Sequence, residues 1–220
     1  MILPGPRATL RALGELLETG ELGSALAVTI LRALAGFGAA VITGFTLGGL
    51  AGLSRTASLL ARPYITVLLG TPPIAWLVLA LLWFGSGNGT PIFTVFVACL
   101  PILFACALQG ARTLDGAIKR LASAFRLPLS MRIRDVYVPH MISYLVPGIV
   151  TALGVSWKVA IMAELLASSD GVGAALAITR SQLDTAGTLA WLTASVVILL
   201  AVEYLLLEPI KQRTEQWRAV

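Results

Sequence analysis

Few side chains in this sequence can do chemistry, and two of them sit where charge is costly. Lys158 and Glu164 lie in one apolar run, within Ser156-Trp157-Lys158 and Ala163-Glu164. An ionised side chain at bilayer depth tends to face a partner, a pathway or a substrate. The two are six positions apart, which on a helix turns them about 120° from each other, so a simple intrahelical ion pair is not expected. Lys158 is suited to attracting an anion; the alternative is a lysine whose ammonium snorkels outward along its own stem. Glu164 lies near the outer end of the run. There a structural bond to the following Ser168-Ser169-Asp170-Gly171 turn competes with a gating role. Trp157, beside Lys158, completes the set of pathway candidates.

Other chemistries find no residues to carry them. The single histidine, His140, directly follows Pro139 at a hydrophobic boundary, and no Ser–His–acid set can be built around it. There is no G-x-x-x-x-G-K-[ST] loop for ATP phosphates and no H-E-x-x-H. Cys99 and Cys106 are seven residues apart in one apolar run, which reads as two small buried side chains rather than a disulfide or metal pair. No catalytic residue, metal or cofactor is expected on this chain.

The elements that must position these residues are membrane helices. Of 220 residues, 57% are hydrophobic and 12% charged, about half the charge of a soluble domain, and the mean hydropathy is +0.88. This predicts a single all-α polytopic membrane domain. Five runs approach the roughly 20 apolar residues a bilayer crossing needs: Ala33–Leu53, Tyr64–Phe84, Ile92–Gly110, Ile142–Leu166 and Leu189–Leu207. The formal charge of +5 is a topology signal rather than a nucleic-acid signal, because the basic residues are confined to particular loops. With the N-terminus outside, eleven fall inside (Arg55, Arg62, the six between 112 and 134, Lys211, Arg213 and Arg218) and three outside (Arg7, Arg11 and Arg180). Arg32 and Lys158 fall at or within spans.

Three further features organise the chain. Residues 1–23 carry Leu10, Leu13 and Leu17 at the spacing of one amphipathic helix face, suited to lying along the outer surface. Residues 24–208 form the membrane domain, and 209–220 a cytoplasmic tail. In the first span Gly36, Ala40, Gly44, Gly48 and Gly52 recur every four residues, a small-residue ribbon of the kind that lets helix backbones approach closely in lipid. Whether it faces its own bundle or another subunit is open at this stage. Between the third and fourth spans, residues 112–140 hold Arg112, Lys119, Arg120, Arg126, Arg132 and Arg134 against Asp115 and Asp135. The length suits two short helices broken at Leu127-Pro128-Leu129-Ser130, with Pro128 ending one and Ser130 capping the next. Such a loop docks on a cytoplasmic partner or lies on anionic lipid.

The sequence resembles the integral membrane permease subunits of bacterial ABC importers, in particular the nitrate/sulfonate/taurine/bicarbonate group. The likeness runs from Leu3-Pro4-Gly5-Pro6 to the last span. It is carried by Leu31-Arg32 leading to Gly36-Phe37, by Gly48-Gly49-Leu50-Ala51-Gly52-Leu53-Ser54-Arg55, by Thr71-Pro72-Pro73-Ile74-Ala75-Trp76 and by Leu82-Trp83-Phe84-Gly85. Val138-Pro139, Trp157 with Ala163-Glu164, and Gly171-Val172-Gly173 complete it. The resemblance implies a type I importer core in the bacterial cytoplasmic (inner) membrane. It also implies a second permease chain, identical or different, two copies of an ATPase subunit that bind the ATP, and an extracytoplasmic solute-binding protein. It gives the basic loop the role of a cytoplasmic coupling helix seated in a cleft of the ATPase, with Arg120, Ala122, Arg126, Ser130, Arg132, Arg134, Asp135 and Pro139 as its contact residues. Here the chain departs from the family pattern E-A-A-x3-G-x9-I-x-L-P. Counting back from Pro139, Arg120-Leu121-Ala122 stands where E-A-A is expected and Arg126 where glycine is expected. Family members usually carry a span before the L-P-x-P segment, so the sequence reads as the five-helix core.

The function so implied is passage of a small, anionic solute, with membrane lipid and protein as partners and no nucleic acid. Two other classes stay open on the residues alone. One is a self-contained carrier that uses Lys158 and Glu164 as coupling charges, although no inverted repeat is visible. The other is a membrane scaffold subunit that does not transport.

Overall fold

The computed structural model describes residues 4–114 and 124–204, and all the structural statements below concern these. Arg120 and Ala122, and the tail from 205, lie outside them. The described chain forms α1 (Pro6–Glu18), α2 (Glu21–Leu53), α3 (Arg55–Gly70), α4 (Pro73–Phe84) and α5 (Gly89–Arg112). After the basic loop a single turn, Leu129–Met131, runs through a π-helical stretch, Arg132–Tyr137, into α6 (Val138–Ala167). α7 (Val172–Ser181) and α8 (Thr185–Val202) follow.

Four helical stretches are long and apolar enough to cross a membrane, and the α3–α4 pair makes five if it counts as one span. The direction of packing shows that it does. The small residues of α2 meet α5 in rising order, Gly36 at Ile92 and Val95, Gly44 at Leu103, Gly52 at Ala111. The two helices therefore run parallel, and α3 with α4 must carry the chain back between them. The expected straight span Tyr64–Phe84 is corrected: α3 begins earlier, at Arg55, and the pair is bent by 92°. The cause is Thr71-Pro72-Pro73. Thr71 precedes a proline and is extended, with φ −82° and ψ 123°, and Pro73 opens α4 where its missing N–H leaves nothing unpaired.

The first span is also longer than its apolar run predicts. α2 starts at Glu21, so the domain boundary placed at residue 23 falls inside its first turn. Gly20, at φ 73°, makes the corner with α1. On α1 it is Leu13 and Leu16 that pack inward, against Leu22, Val172, Leu176, Trp191 and Ala194. Leu10 and Leu17 stay exposed. The main core lies where α2, α5 and α6 meet, built from small and medium side chains such as Ala33, Ala40, Val95, Cys99, Leu103, Ala107, Met141, Leu145, Ala152 and Ala160.

The glycine ribbon faces α5 within the same bundle. A Cβ at Gly36 would stand 2.5 Å from the Ile92 carbonyl oxygen and 2.8 Å from Val95 Cβ; one at Gly44 would stand 2.9 Å from Leu103 Cβ. Ala40, between them, is fully buried. Close backbone approach of this kind gives the van der Waals contact that lipid cannot supply by exclusion.

The second half of the basic loop is not a separate helix. It is continuous with α6, giving one helical stretch Arg132–Ala167 of 36 residues. Ser130 is inside the first turn rather than at its cap, since the helix already starts at Leu129 and Arg132 N–H bonds to the Pro128 carbonyl at 3.0 Å. The widened turns before Pro139 have a physical reason. A proline ring collides with the carbonyl four residues back and offers no N–H, and a π-helical stretch relieves both.

Candidate functional site

At the outer end of the bundle the structure assembles a buried polar network that begins with a threonine and an arginine one turn apart on α2. Arg32 is 4% exposed and Glu164 is fully buried. The Arg32 Nη1 donates to Glu164 Oε1 at 3.0 Å and to the Asp170 carbonyl oxygen at 2.9 Å. Its Nη2 donates to Asp170 Oδ1 and Asn88 Oδ1, both at 2.5 Å, and Nε donates to the same Asn88 oxygen at 2.8 Å. The other Glu164 oxygen accepts from the Thr29 hydroxyl at 2.7 Å and from Gly173 N–H at 3.1 Å. Thr29 in turn accepts from Val172 N–H at 2.9 Å.

The turn between α6 and α7 is shaped around this carboxylate. Gly171 has φ 94°, and a Cβ there would lie 2.6 Å from the Glu164 carboxyl group. A buried charge is tolerated only when paired and hydrogen-bonded, and here every nitrogen of Arg32 and both oxygens of Glu164 have partners. The network ties α2, the α4–α5 turn, the end of α6 and the start of α7 into one unit. Gly87 N–H adds a bond to the Ala167 carbonyl at 3.0 Å.

Glu164 therefore takes its main partner from another span. The competing sequence readings were a bond to the following turn and a gate. The turn does contribute, through Gly173 N–H, but Arg32 sits 132 positions away. Arg32 is the residue the sequence reading missed as a site. Its signal was available: an arginine in the outer half of one span and a carboxylate in the outer half of another, in a chain with few charges at depth.

Lys158 and Trp157 point to different surroundings on α6. Trp157 is half-buried and lines an apolar cavity of about 300 Å³ with Ile30, Leu34, Leu153 and Leu199, between α2, α6 and α8. Lys158 is exposed on the face that also shows Pro147 and Thr151, and Gly154 on that side opens onto empty space. Among the described residues no carboxylate is within ion-pair distance of Lys158.

At the opposite end lie the cytoplasmic candidates. Arg126 adopts a left-handed conformation, φ 50°, and is exposed. Ser130, Arg134, Asp135 and Pro139 are exposed and Arg132 is half-buried. They stand at the same end as the α2 and α5 C-termini: His140 Nε2 is 3.4 Å from the Thr113 hydroxyl, and Met141 packs on Gly49. Arg55, Arg62 and Arg112 share this end, the arrangement expected for a cytoplasmic side.

A parallel-and-return bundle with a polar lock at one end and a basic helical segment at the other defines a multi-pass membrane protein. The chain belongs to the family described as binding-protein-dependent transport system inner membrane component, whose profile matches residues 22–215. It is 30% identical over 172 residues to a putative aliphatic sulfonates transport permease protein of Bacillus subtilis, covering 78% of this chain and 62% of that protein. It is 28% identical to a nitrate import permease protein of Synechococcus elongatus, covering 69% and 54%. For a taurine transport system permease protein of Escherichia coli the identity is again 28%, covering 87% and 70%. The matched stretch thus spans little more than half the length of the first two relatives. The fold is shared with a chain of the MetNI methionine ABC transporter in an inward-facing conformation, with TM-score 0.67, 16% identity, and 98% and 99% of the two chains covered. It is shared also with a chain of an amino acid ABC transporter, with TM-score 0.64, 18% identity, and 94% and 98% covered.

Proposed function

We propose that this chain is the permease subunit of an ABC importer and forms, with a second permease chain, the passage for a small anionic solute. A binding protein would deliver the solute, and ATP hydrolysis on two partner ATPases would drive its release. The chain itself would catalyse nothing. The observation that carries the reading is the family match over nearly the whole chain, and the names of the sulfonate, nitrate and taurine relatives favour an anion.

Lys158 supports the anionic class. It stands in the outer half of α6 and is exposed, one turn beyond Gly154, whose Cβ position has nothing within 4 Å. An ammonium at that depth needs water or a counter-charge. A hydrated passage between two copies of α6 provides the first, and a passing anion the second. The contact with the ATPase falls on Arg132, Arg134 and Asp135 in the helical extension of α6. The self-contained carrier loses support, because Glu164 is held by Arg32 and is not free to act as a coupling charge.

Uptake into proteoliposomes that hold the complete complex tests the reading. Lys158→Met should cut ATP-driven uptake of the anion sharply while the complex assembles and the loaded binding protein still stimulates ATP hydrolysis. Normal uptake by that variant would overturn the anion assignment. Failure of the chain to co-purify with any ATPase would overturn the importer reading itself.

A further inference from the structure

One cavity among the described residues has no part in the outer lock or the α6 face. It is a groove of about 490 Å³ between the middle of α3 and the last turns of α5. Arg62 and Arg112 line it together with Gln109 and two threonines, and the rest of its wall is apolar, with Ile65, Phe104, Ala105 and Leu108. Arg112 is the last residue of α5, and Phe104 lies eight positions earlier, about 12 Å deeper along the helix. The groove thus grades from two guanidiniums at the rim to hydrocarbon below. Among the described residues no carboxylate lines it and neither arginine has an ion-pair partner.

We propose that this groove binds one anionic phospholipid of the inner leaflet, with the headgroup phosphate on Arg62 and Arg112 and an acyl chain along Ile65, Phe104 and Leu108. Guanidinium matches a phosphate through paired N–H donors, and the amide of Gln109 adds a further donor. A water-soluble oxyanion would use the rim and leave the apolar wall wet. A lipid uses both. On the neighbouring side of α3 Leu59, Leu60, Tyr64 and Val67 are exposed among the described residues, so acyl chains can approach it within the bilayer plane.

The test is native mass spectrometry of the full chain released from micelles that contain phosphatidylglycerol or phosphatidylethanolamine with identical acyl chains. One phosphatidylglycerol per chain should be retained and phosphatidylethanolamine should not. Each guanidinium near an anionic headgroup accounts for about a fivefold effect, so Arg62→Gln with Arg112→Gln should weaken retention about twenty-fivefold. Arg55→Gln, which removes one charge at the same end but outside the groove, should leave it unchanged. Ala105→Phe keeps both charges and fills the apolar wall, and should also abolish retention. Equal retention of the two lipids, an equal loss in Arg55→Gln, or full retention in Ala105→Phe would each overturn the site. Displacement of the lipid by inorganic phosphate would overturn it in favour of a soluble-anion site.

Discussion

Removing the carboxylate of Glu164 should be among the most destabilising single changes in this protein, and the reason lies in what it leaves behind. Glu164→Ala strips one acceptor from Arg32, one from the Thr29 hydroxyl, which keeps the Ala25 carbonyl, and the acceptor of Gly173 N–H. Breaking a buried pair in this way costs about 3–5 kcal/mol, because a charge stays buried without its counterpart. Asp170 offers the contrast. It accepts from the same arginine at 2.5 Å but its side chain is 58% exposed. Water therefore screens that pair, and Asp170→Ala should cost no more than about 1 kcal/mol. Replacing both Arg32 and Glu164 by Met removes the stranded charge and keeps the volume. The buried Gly173 N–H still lacks an acceptor, so the double variant should sit about 1–3 kcal/mol below the parent, better than Glu164→Ala alone. The measurement is unfolding of the full chain by a denaturing detergent in mixed micelles, followed by helical circular dichroism. If Asp170→Ala costs as much as Glu164→Ala, or the double variant equals the sum of the singles, the network is not a coupled buried lock.

The glycine seam and the cytoplasmic segment give two further expectations. Gly36→Leu should destabilise the bundle by about 1–3 kcal/mol in the same assay, since its Cβ meets the Ile92 carbonyl and Val95. Gly38→Ala, where nothing lies within 4 Å, should be neutral or slightly stabilising. Arg132→Glu with Arg134→Glu should abolish binding of the ATPase in a pull-down from membranes while the chain still inserts and unfolds normally; unaltered binding would place the contact elsewhere.

The bundle was legible in the sequence where the signal is local. Runs of apolar residues marked the crossings, and the four-residue spacing from Gly36 to Gly52 marked a helix seam, although the partner, α5, could not be named from one helix alone. The break between α3 and α4 was hidden because hydropathy continues across Thr71-Pro72-Pro73; the prolines carried the information and the apolar average concealed it. α7 is ten residues long, too short to register as a crossing. Ser130 looked like a cap because Pro128 looked like a stop, yet Pro128 merely precedes the helix and its carbonyl takes the first bond. The Arg32–Glu164 pair is the hardest case. Its partners are remote in sequence, and only their similar depth in different spans hints that they meet.

The unbroken run from Arg132 to Ala167 has a mechanical consequence. At 1.5 Å per residue its 36 residues measure about 54 Å, so Arg132 and Arg134 at one tip and the Glu164 anchor near the other belong to a single beam. Tilting that beam by 10° about its midpoint displaces each tip by about 5 Å, in opposite directions. The widened turns ahead of Pro139 are the part of the beam with the least regular backbone bonding, and so its softest section. A displacement applied beyond that section is shared between bending there and tilting of the rest, so the anchor moves by less than the cytoplasmic tip, in proportion at every amplitude.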